Sequence, residues 1–327
     1  GGECPGAVSI LAAGTAPSRE GRYQRLSPAD FERLIEELPR RPLLAGEQGL
    51  RLSLAGAQEK LALRLEDGAF FLATGGLATT HIVKPAIRLV ADSVRNEAFC
   101  MVLAGRLGLP VPRSWVHPGK EPVYVVERFD RVIGDDGSVT RLHAEDFCQA
   151  TGRPPEAKYE AEGGPGLRDC FAVLKDHSVQ PAVDQDLLLR LVAFNALVHN
   201  ADAHAKNLSL LHGGRGVRLA PFYDLLCTGV YAEHGEKLAM AIGGEKRPGW
   251  LRRRHWERLA EDVQIGRRLV LGTVAELATR MPEAAEQLAG EQAATLGESR
   301  TITAIVALVR DRCRAALAGL SEPAPPV

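Results

Sequence analysis

The chain has 327 residues, of which 45% are hydrophobic and 25% charged, and its net charge is −1. Domains usually run about 100–200 residues, so two lobes are expected. The near-zero charge excludes a global electrostatic case for a nucleic-acid coat or an anionic membrane, so any basic surface must be local. The cysteines Cys4, Cys100, Cys148, Cys170, Cys227 and Cys313 form no C-x-x-C pair. That argues against a zinc site or a disulfide framework and suits a reducing cytoplasm. No apolar run reaches the ~18 residues of a membrane span, so no membrane partner is expected. The chain opens on "GGECPGAVSI", without Met or a signal peptide, and reads as a processed or trimmed product.

In chain order, residues 1–20 read as irregular. "SPADFERLIEELP" predicts a helix with Ser27 as its N-cap and Pro28 in its first position. In "GLRLSLAGAQEKLALRLEDGAFFLA", Leu50, Leu52 and Leu54 alternate, then Leu61, Leu63 and Leu65. These predict two strands joined through "AGAQEK", with a third after the "EDGA" turn. "THIVKP" reads as a short strand, "SVRNEAFCMVLAGRLG" as an amphipathic helix ending at Gly108, and "PVYVVERFDR" as a strand. "IGDDGSV" is a hairpin turn. Beyond it the period changes, and helices are expected at 143–151, 167–176, 184–199, 255–263, 273–290 and 301–318. A β-rich lobe over 1–130 and a helical lobe over 131–327 follow from this change.

The densest chemistry lies in "HNADAHAKNLSLL", from His199 to Leu211. It follows a helix whose Leu187, Leu188, Leu191, Val192 and Phe194 should be core. After it, "NLSLL", "HGGRG" and "VRLAP" read as a hairpin leading to "FYDLL". Phosphoryl transfer makes this demand of a loop. One Asp must orient or deprotonate the attacking hydroxyl, and an Asn and a second Asp must offer hard oxygens to Mg²⁺. A Lys can neutralise charge on the γ-phosphate. Asp202, Asn207, Asp224 and Lys206 fit those roles, and Asp-x-x-x-x-Asn is the spacing of the kinase catalytic loop. Two other readings stay open on this stretch alone. An Asx-rich loop after a helix can be capping and turn chemistry only. His199, Asp202 and His204 could instead hold a metal, although the spacing has no regular ligand geometry.

Three further stretches bear on function. "SLAGAQEK", Ser53 to Lys60, would let backbone N–H groups approach phosphates, or is an ordinary hairpin. Lys84 in "HIVKP", followed by Glu97 on a helix, matches the kinase grip on the α/β-phosphates, or is a solvated edge charge. "EKRPGWLRRRHWER" (245–258) is either a phosphate-contacting patch through Lys246 and Arg247 or a solvated helix face with Trp250 and Trp256 packed inward. The order of these parts is that of a bilobal kinase, and it carries more weight than any one of them.

Taken together, "SLAGAQEK", "HIVKP", "NEAFC", "VERFDR", "KYE…GGPG", "HNADAHAKN" and "FYDLL" resemble the HipA family, bacterial serine/threonine-kinase toxins of toxin–antitoxin pairs. The resemblance covers nearly the whole chain. It implies an α+β, bilobal protein-kinase-like fold, with a β-rich N-lobe and a mostly helical C-lobe. It further implies ATP and Mg²⁺ as cofactors. The substrate would be an aminoacyl-tRNA synthetase, glutamyl-tRNA synthetase first, and the partner a HipB-like helix-turn-helix antitoxin through which the pair reaches operator DNA. By the same resemblance Asp202 is the catalytic base, and Asn207 and Asp224 are the metal ligands. Ala55, Gly56, Ala57, Gln58, Glu59 and Lys60 form the phosphate loop, and Lys84 is the ATP lysine, for which the kinase arrangement above offers Glu97 as an ion-pair partner. Glu127, Arg128 and Phe129 form the adenine hinge. His204, Ala205, Lys206 and Tyr223 are nucleotide neighbours. Ser53 sits where the family autophosphorylates. A phosphate of charge near −2 beside the phosphate loop would repel nucleotide.

Two departures stand out. Long members of the family carry a further β-rich N-terminal subdomain, and this chain is expected to start where that piece would end. "YDLL" stands where ordinary protein kinases have D-F-G, and no H-R-D precedes Asp202. Two rival functions remain: a small-molecule kinase of aminoglycoside or choline type, and a catalytically silent DNA-binding co-repressor.

Overall fold

A computed structural model describes residues 4–11, 13–14, 21–38, 58–231 and 235–321. Strand Tyr23–Arg25 (β1) leads into helix Pro28–Glu37 (α1). Ser27 Oγ accepts the Asp30 N–H at 3.1 Å, which satisfies one of the open donors of the first turn, and Pro28 costs nothing there. Strands Leu61–Glu66 (β2), Ala69–Ala73 (β3) and His81–Lys84 (β4) follow, then helix Ser93–Arg106 (α2). That helix stops at Gly108, whose φ of 85° a side chain would resist. Next come Ser114–His117 (β5), Val123–Glu127 (β6), Arg131–Ile133 (β7), Val139–Arg141 (β8) and His143–Asp146 (β9). Helices Phe147–Ala150 (α3), Leu167–His177 (α4) and Pro181–Val198 (α5) precede the hairpin Ser209–Gly213 (β10) and Gly216–Leu219 (β11). Helices Arg253–Asp262 (α6), Arg267–Leu296 (α7) and Arg300–Ser321 (α8) complete the order.

The chain divides into two compact units. The first comprises Gly1–Arg95, Pro112–Glu145 and Leu211–Gly213. It is built on a six-stranded sheet of order β1-β3-β2-β4-β6-β5, with antiparallel pairings throughout. Helix α1 lays Phe31, Leu34 and Ile35 on a core that includes Leu61, Leu63, Phe70, Leu72, Val83 and Val125. The alternation of Leu61, Leu63 and Leu65 suggests a strand with one wet face. β2 is instead buried on both faces at Leu61–Arg64: Leu61 and Leu63 join the α1 core, and on the alternate face Arg64 lies over the Tyr23 ring and bonds Glu66. Next to the sheet, buried Asp130 is gripped by Arg128 at 2.8 and 3.0 Å and by Arg131 at 2.9 Å. Burial alone would raise its pKa, but the two guanidiniums override that and hold it below the usual carboxylate value.

The second unit comprises Asn96–Val111, Asp146–Leu210 and Gly214–Val327. α4 packs on α5, and α7 on α5, α6 and α8. α5 is apolar on all sides, with Leu188, Leu189, Leu191, Val192, Phe194 and Val198 buried. Asp184 on this helix is fully buried and is neutralised by Arg218 from β11 at 2.8 Å.

Three expectations need correction. The segment 143–151 is strand β9 followed by the single turn α3, because Asp146 caps Gln149 and so begins a helix in mid-segment. The strands β1 and β5 have no alternation long enough to show in the sequence. Trp256 packs inward as expected, but Trp250 is 58% exposed and lies under the Arg247 guanidinium. The strand expected around Leu50–Leu54 lies outside the described residues.

Candidate active site

α5 ends at His199, whose backbone turns left-handed (φ 58°, ψ 60°) and whose N–H still reaches Asn195 O. This reversal throws the chain out of the apolar core and starts the polar loop. Thr228 holds the turn from outside: its Oγ1 donates to His199 O at 2.8 Å and accepts the Ala201 N–H at 2.9 Å. Gly229 packs so tightly on His199 that a Cβ would lie 2.6 Å from Nδ1. His199 is thus the end of a helix. Among the described residues no group of three or more His, Cys, Asp and Glu is placed to hold a metal.

Within the loop, Asn207 Nδ2 donates to Asp202 O at 2.8 Å, and the His204 N–H donates to the same oxygen at 2.7 Å. Two residues five apart are thereby locked across one tight turn, and the Asn207 carboxamide is oriented with its oxygen left to serve as a ligand. The Asp202 side chain is 46% exposed, and its Oδ1 accepts a hydrogen bond from the Tyr159 hydroxyl at 2.6 Å. His204 Nε2 lies 3.8 Å from the same oxygen. Burial lowers the His204 pKa, with Lys158 adding to the effect, while the Asp202 charge opposes it. Its buried Nδ1 has no hydrogen-bond partner among the described residues. The Tyr223 hydroxyl donates to Lys206 O at 2.9 Å and bonds Ser209 Oγ at 2.6 Å, which ties the loop to the segment after β11.

Asp224 follows with a φ of 54°, a conformation that non-glycine residues adopt at a cost and that recurs at functional positions. The chain beyond it is clamped to α2: Asn96 accepts the Cys227 N–H and donates to Cys227 O, both at 2.8 Å. One pocket of the second unit is lined by His204, Asn207, Tyr223 and Asp224, with Leu191, Leu238 and Met240 as its apolar wall. This unit therefore brings together Asn207, Asp224, His204 and Tyr223, with Asp202 bonded directly to Asn207.

In the first unit, Lys84 and Lys60 are buried, and the Lys84 ammonium lies 5.7 Å from the centre of the Tyr124 ring. Gln58 Nε2 reaches Pro85 O at 3.4 Å. Glu59 also falls within the described residues, whereas Ser53, Ala55, Gly56 and Ala57 lie outside them. Glu127 pairs with His81 in the β4–β6 register, and the Arg128 N–H donates to Thr80 O at 2.9 Å. The Arg128 side chain is committed to Asp130, Thr79 and Cys4, so an adenine contact from Glu127–Phe129 would have to come from the backbone or its neighbours. Glu97 is buried on the part of α2 that belongs to the second unit. Lys246 pairs with Glu160 at 2.8 Å, and Arg247 with Glu245 at 3.0 Å, which reduces the positive charge this patch can offer a phosphate backbone.

Sequence reasoning assigned no role to Tyr159, Asn96 or Thr228. Tyr159 and Asn96 had a signal, since they lie in the stretches "KYE" and "NEAFC", whereas Thr228 had none.

The chain is similar to known proteins over most of its length. The family model described as HipA-like C-terminal domain matches residues 52–285. The chain is 43% identical over 293 residues to "Putative kinase Y4mE" of Sinorhizobium fredii, covering 87% of this chain and 69% of that protein. It is 32% identical to the serine/threonine-protein kinase toxin HipA of Shewanella oneidensis, over 85% of this chain and 66% of that one. The chain thus spans about two thirds of the length of the curated relatives it matches. A chain of the S. oneidensis MR-1 complex of HipA, HipB and operator DNA superposes with a TM-score of 0.78 at 28% identity, covering 96% of this chain and 76% of that one. The Helicobacter pylori proinflammatory kinase CtkA shares the fold at a TM-score of 0.51 and 12% identity, over 78% of this chain and 90% of that one. The architecture is accordingly α+β and protein-kinase-like. With a family model covering more than half its length, the chain belongs to the HipA-like C-terminal domain family.

Proposed function

We propose that the chain is an ATP- and Mg²⁺-dependent serine/threonine protein kinase that acts as the toxin of a toxin–antitoxin pair. The observation that carries this reading is the 2.8 Å bond from Asn207 to Asp202 O, together with the shared pocket of Asn207 and Asp224. In this reading Asp202 accepts the proton of a serine or threonine hydroxyl as its oxygen bonds to the γ-phosphorus. The bond from that phosphorus to the bridging oxygen breaks, and ADP leaves. Lys206 offsets charge on the transferred group. Asn207 and Asp224 would hold Mg²⁺, which when bound neutralises phosphate charge. One carboxylate and one carboxamide fit that ion, because it commonly takes one or two protein oxygens and completes its shell with phosphates and water. Ala55–Lys60, Lys84 with Glu97, and Glu127–Phe129 supply the nucleotide grip. His204, Ala205 and Tyr223 line the nucleotide side of the loop.

The names of the relatives support the toxin and antitoxin parts of this reading. The S. oneidensis relative is named a serine/threonine-protein kinase toxin, and the similar solved structure holds HipB and operator DNA. By extension this chain takes a HipB-like antitoxin, reaches operator DNA through it, and works in the cytoplasm. Its target is an aminoacyl-tRNA synthetase, glutamyl-tRNA synthetase first, and phosphorylation of Ser53 switches it off. Among the described residues no helix is long and apolar enough to cross a membrane. The ion pairs of Lys246 and Arg247 disfavour direct DNA contact by this chain.

The test is to incubate the purified chain with Mg·ATP and a panel of aminoacyl-tRNA synthetases and small alcohols, then map products by mass spectrometry. Phosphate on a serine or threonine of one synthetase, and on Ser53, is the expected result. Transfer to small alcohols alone, or no Mg·ATP affinity by calorimetry, contradicts it.

A further inference from the structure

The exposure of Asp202 raises a difficulty for any reading in which it acts as a base. A carboxylate 46% exposed on a loop can rotate and hydrate freely, whereas efficient proton transfer needs it held in one orientation. Bases that work on loops are commonly oriented by a third group, as in the nucleophile–base–orienter arrangement. The "KYE" stretch supplies such a group from 43 residues away. The Tyr159 hydroxyl donates to Asp202 Oδ1 at 2.6 Å, a length typical of a charge-assisted bond.

The flanking residues fix the phenol in turn. The Tyr159 ring stands edge-on to His204, 5.1 Å between centres. Lys158 O accepts the Ala205 N–H at 3.3 Å, and the Lys158 ammonium lies 4.9 Å from the centre of the Tyr159 ring. Glu160 then takes the Ala241 N–H at 2.9 Å and the Lys246 ammonium at 2.8 Å. The tripeptide 158–160 is therefore bonded both to the loop that carries Asp202 and to the segment that walls the pocket through Leu238 and Met240.

We propose that Tyr159 is a positioning residue for phosphoryl transfer: its hydroxyl occupies Asp202 Oδ1 and leaves Oδ2 to receive the acceptor proton. This rests on the kinase reading above. Burial, then the bond to Asp202 and its charge, raise the phenol pKa, so the hydroxyl stays a donor throughout the working pH range.

Tyr159→Phe removes only the oxygen and keeps the ring packing. Loss of a hydrogen bond to a charged group should lower kcat by about 10- to 100-fold, with the KM for ATP unchanged. Tyrosinate absorbance tests the contact itself without turnover. The difference between wild type and Tyr159→Phe isolates this phenol, and in Asp202→Asn it should ionise at lower pH because the neighbouring charge is gone. A Tyr159→Phe variant with full kcat, or one that loses only ATP affinity, overturns the proposal while the kinase reading stands. A Tyr159 titration that ignores Asp202→Asn also overturns it. A wild type that transfers no phosphate sinks the kinase reading, and the positioning role with it.

Discussion

Asn96→Ala tests how firmly the segment after Asp224 is held. Asn96 is fully buried. Its Oδ1 accepts the Cys227 N–H at 2.8 Å, and its Nδ2 donates to Cys227 O at 2.8 Å and to the Tyr231 hydroxyl at 2.9 Å. The alanine deletes these three bonds and the one that Oδ1 accepts from the Cys100 thiol at 3.4 Å, and leaves the backbone N–H and C=O of Cys227 in a site that buries Cys227 completely. Each buried orphan costs about 1–3 kcal/mol, so a loss of about 2–6 kcal/mol is expected. That is a large part of the ~5–15 kcal/mol that a domain has in total. Urea unfolding followed by tryptophan fluorescence reads it as a fall in midpoint. Asn96→Asp keeps the shape but loses the donor and buries a charge, and should be at least as damaging. A midpoint shift worth less than ~0.5 kcal/mol, the range of ordinary surface substitutions, would refute the claim that this clamp fixes the segment.

Other outcomes follow from single contacts. Asp224→Asn should lower Mg·ATP turnover at least ~10²-fold, read by γ-phosphate transfer; turnover within a few-fold of wild type would refute the role given to this carboxylate. At Asp184 burial raises the pKa, but Arg218, Ser178 and the Leu219 N–H bring it below the usual value. A depressed carboxylate stabilises the fold above its unfolded pKa of about 3.9 and loses that contribution as pH falls through the folded value. Asp184→Asn should therefore flatten acid unfolding below about pH 4 while destabilising the protein at neutral pH. Burial, then Arg113, lowers the His81 pKa to about 4. The unfolded chain thus binds the extra proton between about pH 6.5 and pH 4, and stability falls with pH across that window. His117, His199, His204 and His255 are lowered as well and add to the slope, so His81→Gln should reduce it without abolishing it, read from urea midpoints at several pH values.

The parts legible in the sequence are those whose signal is local. Ser27 and Pro28 announce α1 because a cap acts within one turn. Asp202 and Asn207 could be read as a unit because the bond between them spans only five residues. Tyr159, Asn96 and Thr228 were illegible as partners because their bonds cross 43, 131 and 27 or 29 residues, and folding alone brings those positions together. The misreading of 143–151 has a local cause: β9 is short, and Asp146 starts the helix inside what looks like one helical run. Trp250 was misplaced because an exposed indole under a guanidinium has the same spacing as a buried one.

The central claim is that Asp202 is the base of a phosphoryl-transfer site. Transfer of labelled γ-phosphate from Mg·ATP by wild type and by Asp202→Ala, followed by phosphoamino-acid analysis, tests it most directly. The account predicts phosphoserine or phosphothreonine from wild type and a loss of ~10²–10⁴-fold in the variant. Equal labelling of the two proteins would contradict it.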